Sequence, residues 1–293
     1  MPPLLVLSNA GAGSADDAVL DAVLTALREG AEVRSAPMGD PSELDGLLAE
    51  HPGHRPVAAG GDGTLHLLVA ALHARGELAD HVLGLVPMGT GNDFARTLAI
   101  PVDPVEAAGV VLRGRPRTLD LLTDDAGGVV VNMVHLGIGA QAGKDGTPFK
   151  PALGAAAYKV GAVLAGFRVR GWELEVVVDG RTVADGRRRV LQVGIGNGRT
   201  IGGGTALTPD AVPDDGLADV MVSAATGALS RLRYARLLAR GRHPEHPAVV
   251  VVRGRDVRVS GPATPVNCDG ELGESVRSRR WTVHPGAWRI TVP

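Results

Sequence analysis

Two short stretches hold the residues best placed to do chemistry. The first is Gly60-Gly61-Asp62-Gly63-Thr64-Leu65-His66, between the apolar run Val57-Ala58-Ala59 and a helical pattern from Leu65 to Leu72. Glycines let backbone N–H groups approach an anion closely, and a helix N-terminus adds favourable partial charge. Asp62 would repel a bare phosphate, but not a phosphate with Mg²⁺ between them. For one such loop alone, an ordinary turn with an N-cap is the simpler reading. The second stretch changes the balance. Pro87-Met88-Gly89-Thr90-Gly91-Asn92-Asp93 follows the apolar run Val82 to Val86 and opens a helix at Phe94. Two glycine-rich helix starts at the carboxyl ends of strands in one sheet read as two walls of one phosphate site. Together they suggest a cradle for a magnesium nucleotide.

Competing motifs are weaker. The GxxxxGK[ST] pattern of a P-loop is missing. Gly11-Ala12-Gly13 half-matches a dinucleotide fingerprint, but Asp16 replaces its third glycine. Gly137-Ile138-Gly139 matches loosely, but Asp145-Gly146 and Pro148 leave little room for a helix. A Rossmann-type NAD site is therefore disfavoured.

The elements that must position these loops follow from periodicity. Leu4 to Leu7, Ala31 to Ser35, Val57 to Ala59 and Val82 to Val86 read as strands. Asp16 to Leu27, Glu43 to Leu48, Leu65 to Leu72 and Phe94 to Leu98 read as helices between them. Such alternation predicts an α/β domain with a doubly wound parallel sheet over residues 1–117. Over 118–293 the pattern shifts to apolar runs with turn residues, including Leu174 to Val178, Val190 to Ile195, Ala218 to Val222 and Val257 to Val259. Asp179-Gly180 reads as a hairpin turn. Two helices, Gly154 to Phe167 and Ser230 to Arg240, interrupt this second, mostly antiparallel β domain.

Composition excludes several classes. A formal net charge of −2 argues against a nucleic-acid partner, and 3% aromatic residues leave little for base stacking. A single cysteine, Cys268, forbids an internal disulfide and suits a reducing cytoplasm. The N-terminus lacks the basic region of a signal peptide. The longest apolar span, Pro151 to Phe167, is broken by Lys159, so no transmembrane segment is expected.

The two loops together resemble the catalytic domain of diacylglycerol kinases and sphingosine kinases, and above all the bacterial soluble lipid kinases. GGDGTLH and PMGTGNDFAR match the nucleotide-side motifs. Arg117-Thr118-Leu119-Asp120, Asn132, Leu136 to Gly139, Gly196-Asn197, Gly202-Gly203-Gly204, Pro209-Asp210-Ala211, Asp214-Asp215-Gly216-Leu217 and Cys268-Asp269-Gly270-Glu271 match later blocks in order. The resemblance implies an NAD kinase- or diacylglycerol kinase-like α/β domain followed by a β-sandwich. It implies ATP and Mg²⁺, with nucleotide contacts from Asn9, Gly60, Gly61, Asp62, Gly63, Thr64, Gly89, Thr90, Gly91 and Asn92. It further implies Glu271 as the base that deprotonates a lipid hydroxyl, Asp62 as an organiser of the nucleotide's magnesium, and a structural Mg²⁺ on Asp215 and the carbonyls of Val212 and Leu217. Asp120 would link that ion to the active site.

This chain departs from the pattern at Ser8-Asn9-Ala10, which lacks a proline, at Ser35-Ala36, and at His66-Leu67. NAD kinase and a non-catalytic lipid- or nucleotide-binding protein are the alternatives. GTGNDFAR speaks against the first, and the full set of acids against the second. The expected setting is cytoplasmic, in peripheral contact with the inner face of the membrane where the lipid substrate resides, and a homodimer is compatible with it. Arg233, Arg236 and Arg240 share one helix face, read either as solvated or as a contact for anionic lipid. Val160, Val163, Leu164 and Phe167 form a stripe suited to a core or to a wall of the lipid cleft.

Overall fold

The computed structural model describes residues 2–9, 14–39, 41–138, 140 and 170–293. Gly11 to Gly13, Gly139 and the Gly154 to Phe167 helix lie outside the described residues. The chain divides into two compact units. One comprises Met1–Leu119 with Gly286–Pro293, the other Asp120–Pro285. The sequence placed the division at 117/118 and gave the C-terminus to the second unit. Instead the last residues run back into the first.

In the first unit, strands β1 (Leu4–Asn9), β2 (Val33–Met38), β3 (Arg55–Gly60) and β4 (Val82–Pro87) form a parallel sheet in the order β2-β1-β3-β4. Leu4 to Leu7 are all buried, as a parallel strand covered on both faces requires. Helices α1 (Ser14–Arg28), α2 (Pro41–Glu50), α3 (Asp62–Ala74), α4 (Asp93–Thr97) and α5 (Pro104–Arg113) supply the covers. Periodicity does not mark α5, but its start is marked chemically. Pro104 occupies the first turn, and the Asp103 carboxylate accepts from the N–H groups of Val105 (3.0 Å) and Glu106 (2.9 Å). Strand β2 lies later than the expected Ala31 to Ser35. It is a half-exposed edge strand, and Pro37 is tolerated there because no partner needs its missing N–H.

Strand β5 (Arg115–Asp124) leads into the second unit. There β6 (Val129–Val130), β7 (Met133–Gly137), β8 (Glu175–Val178), β9 (Arg181–Asp185), β10 (Gln192–Gly196), β11 (Thr200–Ile201), β12 (Thr205–Ala206) and β13 (Ala218–Ser223) come first. Helix α6 (Ala228–Leu238) follows, then β14 (Val249–Gly254), β15 (Asp256–Thr264), β16 (Val266–Cys268), β17 (Glu271–Leu272) and β18 (Val276–Val292). One antiparallel sheet runs β14-β13-β10-β7-β16-β17, and a second joins β9, β8, β15 and the first part of β18. Val134, Leu136, Val193, Ile195, Val220 and Val222 from the first meet Val176, Val178, Val257, Val259 and Trp281 from the second. The fold is thus an N-terminal α/β domain with a parallel sheet and an antiparallel β-sandwich, as the sequence predicts. Asp179-Gly180 is the expected hairpin turn, with both φ values positive (47° and 76°) between paired Val178 and Arg181.

The end of β18 lies parallel to β4, with Arg289 beside Val82 and Ile290 beside Leu83. Arg55 secures this return. Its guanidinium donates to the carbonyls of Val82 (2.7 Å) and Val111 (3.0 Å) and to the Thr291 hydroxyl. Burial pulls its pKa down, and these acceptors offset that cost. Trp288 is fully buried and stacks on Phe94 with ring centroids 6.0 Å apart.

His135 on β7 is buried beside its cross-strand neighbour Asn267, and burial pushes its pKa down to about 4. An unfolded chain protonates histidine near pH 6.5. The stability from keeping this ring neutral is therefore complete above that value and lost as the pH falls toward 4. The wild type should lose more thermal stability between pH 7 and 4 than His135→Gln does. Parallel losses in a pH series of melting curves would refute this.

Candidate active site

The glycine loops meet backbone to backbone. A side chain at Gly89 would place its Cβ 2.5 Å from the Gly61 Cα, so only glycine permits the approach. The Met88 N–H donates to the Gly60 carbonyl at 2.9 Å. Gly60 itself has no room for a Cβ, which would sit 2.2 Å from the buried Thr64 hydroxyl. Gly63 faces open space. Gly61 caps α3 in an extended conformation without a side-chain cap bond, which leaves the opening turn as a donor surface for an anion. Thr90 is exposed and Gly91 half-buried.

Asp62 does something the sequence did not reveal. Its two carboxylate oxygens accept from the N–H groups of Asp93 (3.0 Å) and Phe94 (2.9 Å), the first residues of α4. The acid of one loop thus caps the helix of the other. Asn92 completes the corner in a left-handed conformation (φ 52°), its amide accepting from the Gly89 N–H and donating to the Gly89 carbonyl. Asn9 ends β1.

In the second unit Glu271 sits just after a two-residue turn, with Asp269 and Gly270 both at positive φ (51° and 94°) and Cys268 paired with Glu271. The Asp269 carboxylate accepts from three successive backbone N–H groups, Val131 (2.7 Å), Asn132 (2.9 Å) and Met133 (2.8 Å). This anchors the hairpin to β7. Glu271 is exposed, and its carboxylate has no hydrogen-bond partner among the described residues. Burial, then the charge of Asp269, raises the Cys268 thiol to about 12, so it is no nucleophile.

Asp120 is buried, its carboxylate accepting from the Gly216 N–H (2.6 Å) while its own N–H donates to the Pro213 carbonyl (2.8 Å). Buried Asn197 joins this acid to the hairpin. Its side-chain amide donates to the carbonyls of Asp120 (3.1 Å) and Val131 (2.7 Å). Asn197 has no role that its sequence position alone announces; its signal is an amide between two glycines at the end of a buried strand.

Asp215 accepts from the Leu217 N–H at 3.1 Å and is ion-paired with Arg253, which also reaches Asp219 at 3.3 Å. Burial, then the charge of Asp210, pushes Asp219 up to about 6. Among the described residues no cluster of three or more His, Cys, Asp or Glu side chains could hold a metal. A cation on Asp215 with the carbonyls of Val212 and Leu217 would have oxygen donors alone, the set a hard ion prefers. It would compete with Arg253 for the carboxylate.

The fold matches that of a crystal structure of a diacylglycerol kinase from Bacillus anthracis, with a TM-score of 0.78 at 22% identity over 99% of this chain and 97% of that one. Residues 3–123 match the diacylglycerol kinase catalytic domain, and residues 132–292 the YegS C-terminal NAD kinase beta sandwich-like domain. A "Probable lipid kinase YegS-like" protein of Stenotrophomonas maltophilia is 35% identical, covering 74% of this chain and 72% of its own. One of the same name from Pseudomonas syringae is 34% identical over 97% and 91%. The chain belongs to the family of YegS-like lipid kinases, and it is a kinase.

Two outcomes follow from the geometry. Gly89→Ala should force the loops apart, lowering stability by about 1–3 kcal/mol and raising the KM for nucleotide; unchanged melting and KM would show that the close approach is dispensable. Arg253→Gln should free Asp215, so that magnesium raises the melting temperature of this variant more than that of the wild type. Equal magnesium shifts would remove Asp215 as a ligand.

Proposed function

We propose that the protein transfers the γ-phosphoryl group of ATP, taken up with magnesium, to a hydroxyl of a diacylglycerol-like lipid on the cytoplasmic face of a membrane. The observation that carries this reading is the contrast within one hairpin. Asp269 is consumed by three backbone N–H groups, whereas Glu271, two residues on, presents its carboxylate to solvent. A base must reach an incoming hydroxyl, and a base on a rigid support does so reproducibly.

In this mechanism the N–H groups at the start of α3 and the Thr90 hydroxyl hold the phosphates. Glu271 accepts the proton of the lipid hydroxyl as its oxygen bonds to the γ-phosphorus. The bond from that phosphorus to the β-phosphate oxygen breaks, and ADP leaves. Magnesium supplies charge neutralisation at the phosphates when bound. The protein contributes position: Asp62 fixes the spacing of the two loops, and Asp120 and Asn197 fix the acceptor hairpin. Such reactions depend mainly on positioning and charge.

The test is purified protein with labelled ATP and a panel of diacylglycerol, phosphatidylglycerol, sphingosine and NAD. Label should enter an organic-extractable product. Phosphorylation of NAD with every lipid inert would sink the reading. Glu271→Gln should lower turnover by about 10²- to 10⁴-fold while leaving nucleotide affinity nearly unchanged. Near-full turnover in that variant at saturating lipid would reduce Glu271 to a turn residue.

A further inference from the structure

Helix α6 is anchored on one side only. Tyr234 is buried, its ring edge-on to those of His243 (5.9 Å) and His246 (6.3 Å), and Leu238 packs on the cluster around Met133 and Met221. The opposite side is open. Leu229 is 84% exposed and Leu232 50%, and Arg233, Arg236 and Arg240 are exposed as well. Their spacing of three and four residues gathers them on one face.

Among the described residues no acid compensates the arginines of this face. Helix α6 contains no acid. The next acid along the chain, Glu245, is ion-paired with Arg242. Arg233, Arg236 and Arg240 have no ion-pair partner among the described residues. A merely solvated face would not need two exposed leucines beside three unpaired arginines.

We infer that this face of α6 docks on an anionic phospholipid surface, with Leu229 and Leu232 entering the acyl boundary and the arginines meeting lipid phosphates. Interfacial helices combine these two residue classes. The inference deepens the proposed lipid-kinase reading, because an acceptor of that kind resides in a bilayer. Nucleic acid is a poorer match, since the face has no aromatic residue to stack on bases and the whole chain carries net charge −2. A second copy of the chain would set arginines against arginines.

The experiment is sedimentation of the full chain with vesicles, without nucleotide. One set contains phosphatidylglycerol in phosphatidylcholine, the other phosphatidylcholine alone. Binding should favour the anionic vesicles and weaken with salt. Each arginine near such a surface is worth about fivefold in partitioning, so R233Q/R236Q/R240Q should lose roughly a hundredfold. L229S/L232S should also bind more weakly, with melting temperatures of both variants close to wild type. The inference falls if the wild type does not prefer anionic vesicles or if the arginine variant binds as well as the wild type. It falls equally if the arginines are needed for a DNA duplex and not for vesicles, or if the leucines instead support a concentration-dependent dimer. Phosphorylation of a short-chain dispersed lipid, run in parallel without vesicles, should survive in both variants. A wild type that binds vesicles yet phosphorylates no lipid would overturn the acceptor reading alone.

Discussion

The first unit depends on one carboxylate bonded to two backbone N–H groups. Asp62 belongs to the loop after β3, yet it caps the helix that begins after β4. A charge-assisted bond to an N-terminal N–H is among the stronger polar contacts available, and the dipole of even a short helix favours the anion. Around it the glycines make sense: Gly61 and Gly89 touch because nothing but backbone fits between the loops. Phe94, whose N–H Asp62 receives, is stacked on Trp288 from the returning C-terminus. The spacing of the two loops is thereby tied to the core.

The second unit uses the same device for a different end. Asp269 gathers three N–H groups, Asn197 spans from Val131 to Asp120, and Asp120 holds Gly216. Polar groups buried in this way are costly when any partner is missing, so the set behaves as one piece. It leaves Glu271 outside and the loop at Asp215 attached to the same frame.

Much of this was legible in the sequence because it follows from local rules. Uninterrupted apolar runs gave the buried strands β1, β3 and β4, and Asp179-Gly180 gave its turn. The loops announced themselves by glycine. Less visible was anything decided by a partner distant in sequence. Nothing near Asp62 says that its oxygens will accept from the N–H groups of residues 93 and 94, and nothing near Asp215 points to Arg253. Helix α5 escaped because its cap, and not its periodicity, marked it. The fate of Gly286 to Pro293 was hidden because a strand pattern does not name its neighbour.

That return has a consequence for how the protein is made. Residues 1–119 leave the ribosome long before Gly286 to Pro293 exist, so the first unit spends that interval with β4 as an open sheet edge. Until the last strand arrives, the Arg55 guanidinium lacks the Thr291 hydroxyl and Phe94 lacks its stacking partner. An exposed parallel edge is a template for wrong pairing, and a contact between residues so far apart in sequence closes slowly. The chain therefore couples completion of its first domain to synthesis of Gly286 to Pro293, and a ribosome that stalls before them releases a domain with an unfinished edge.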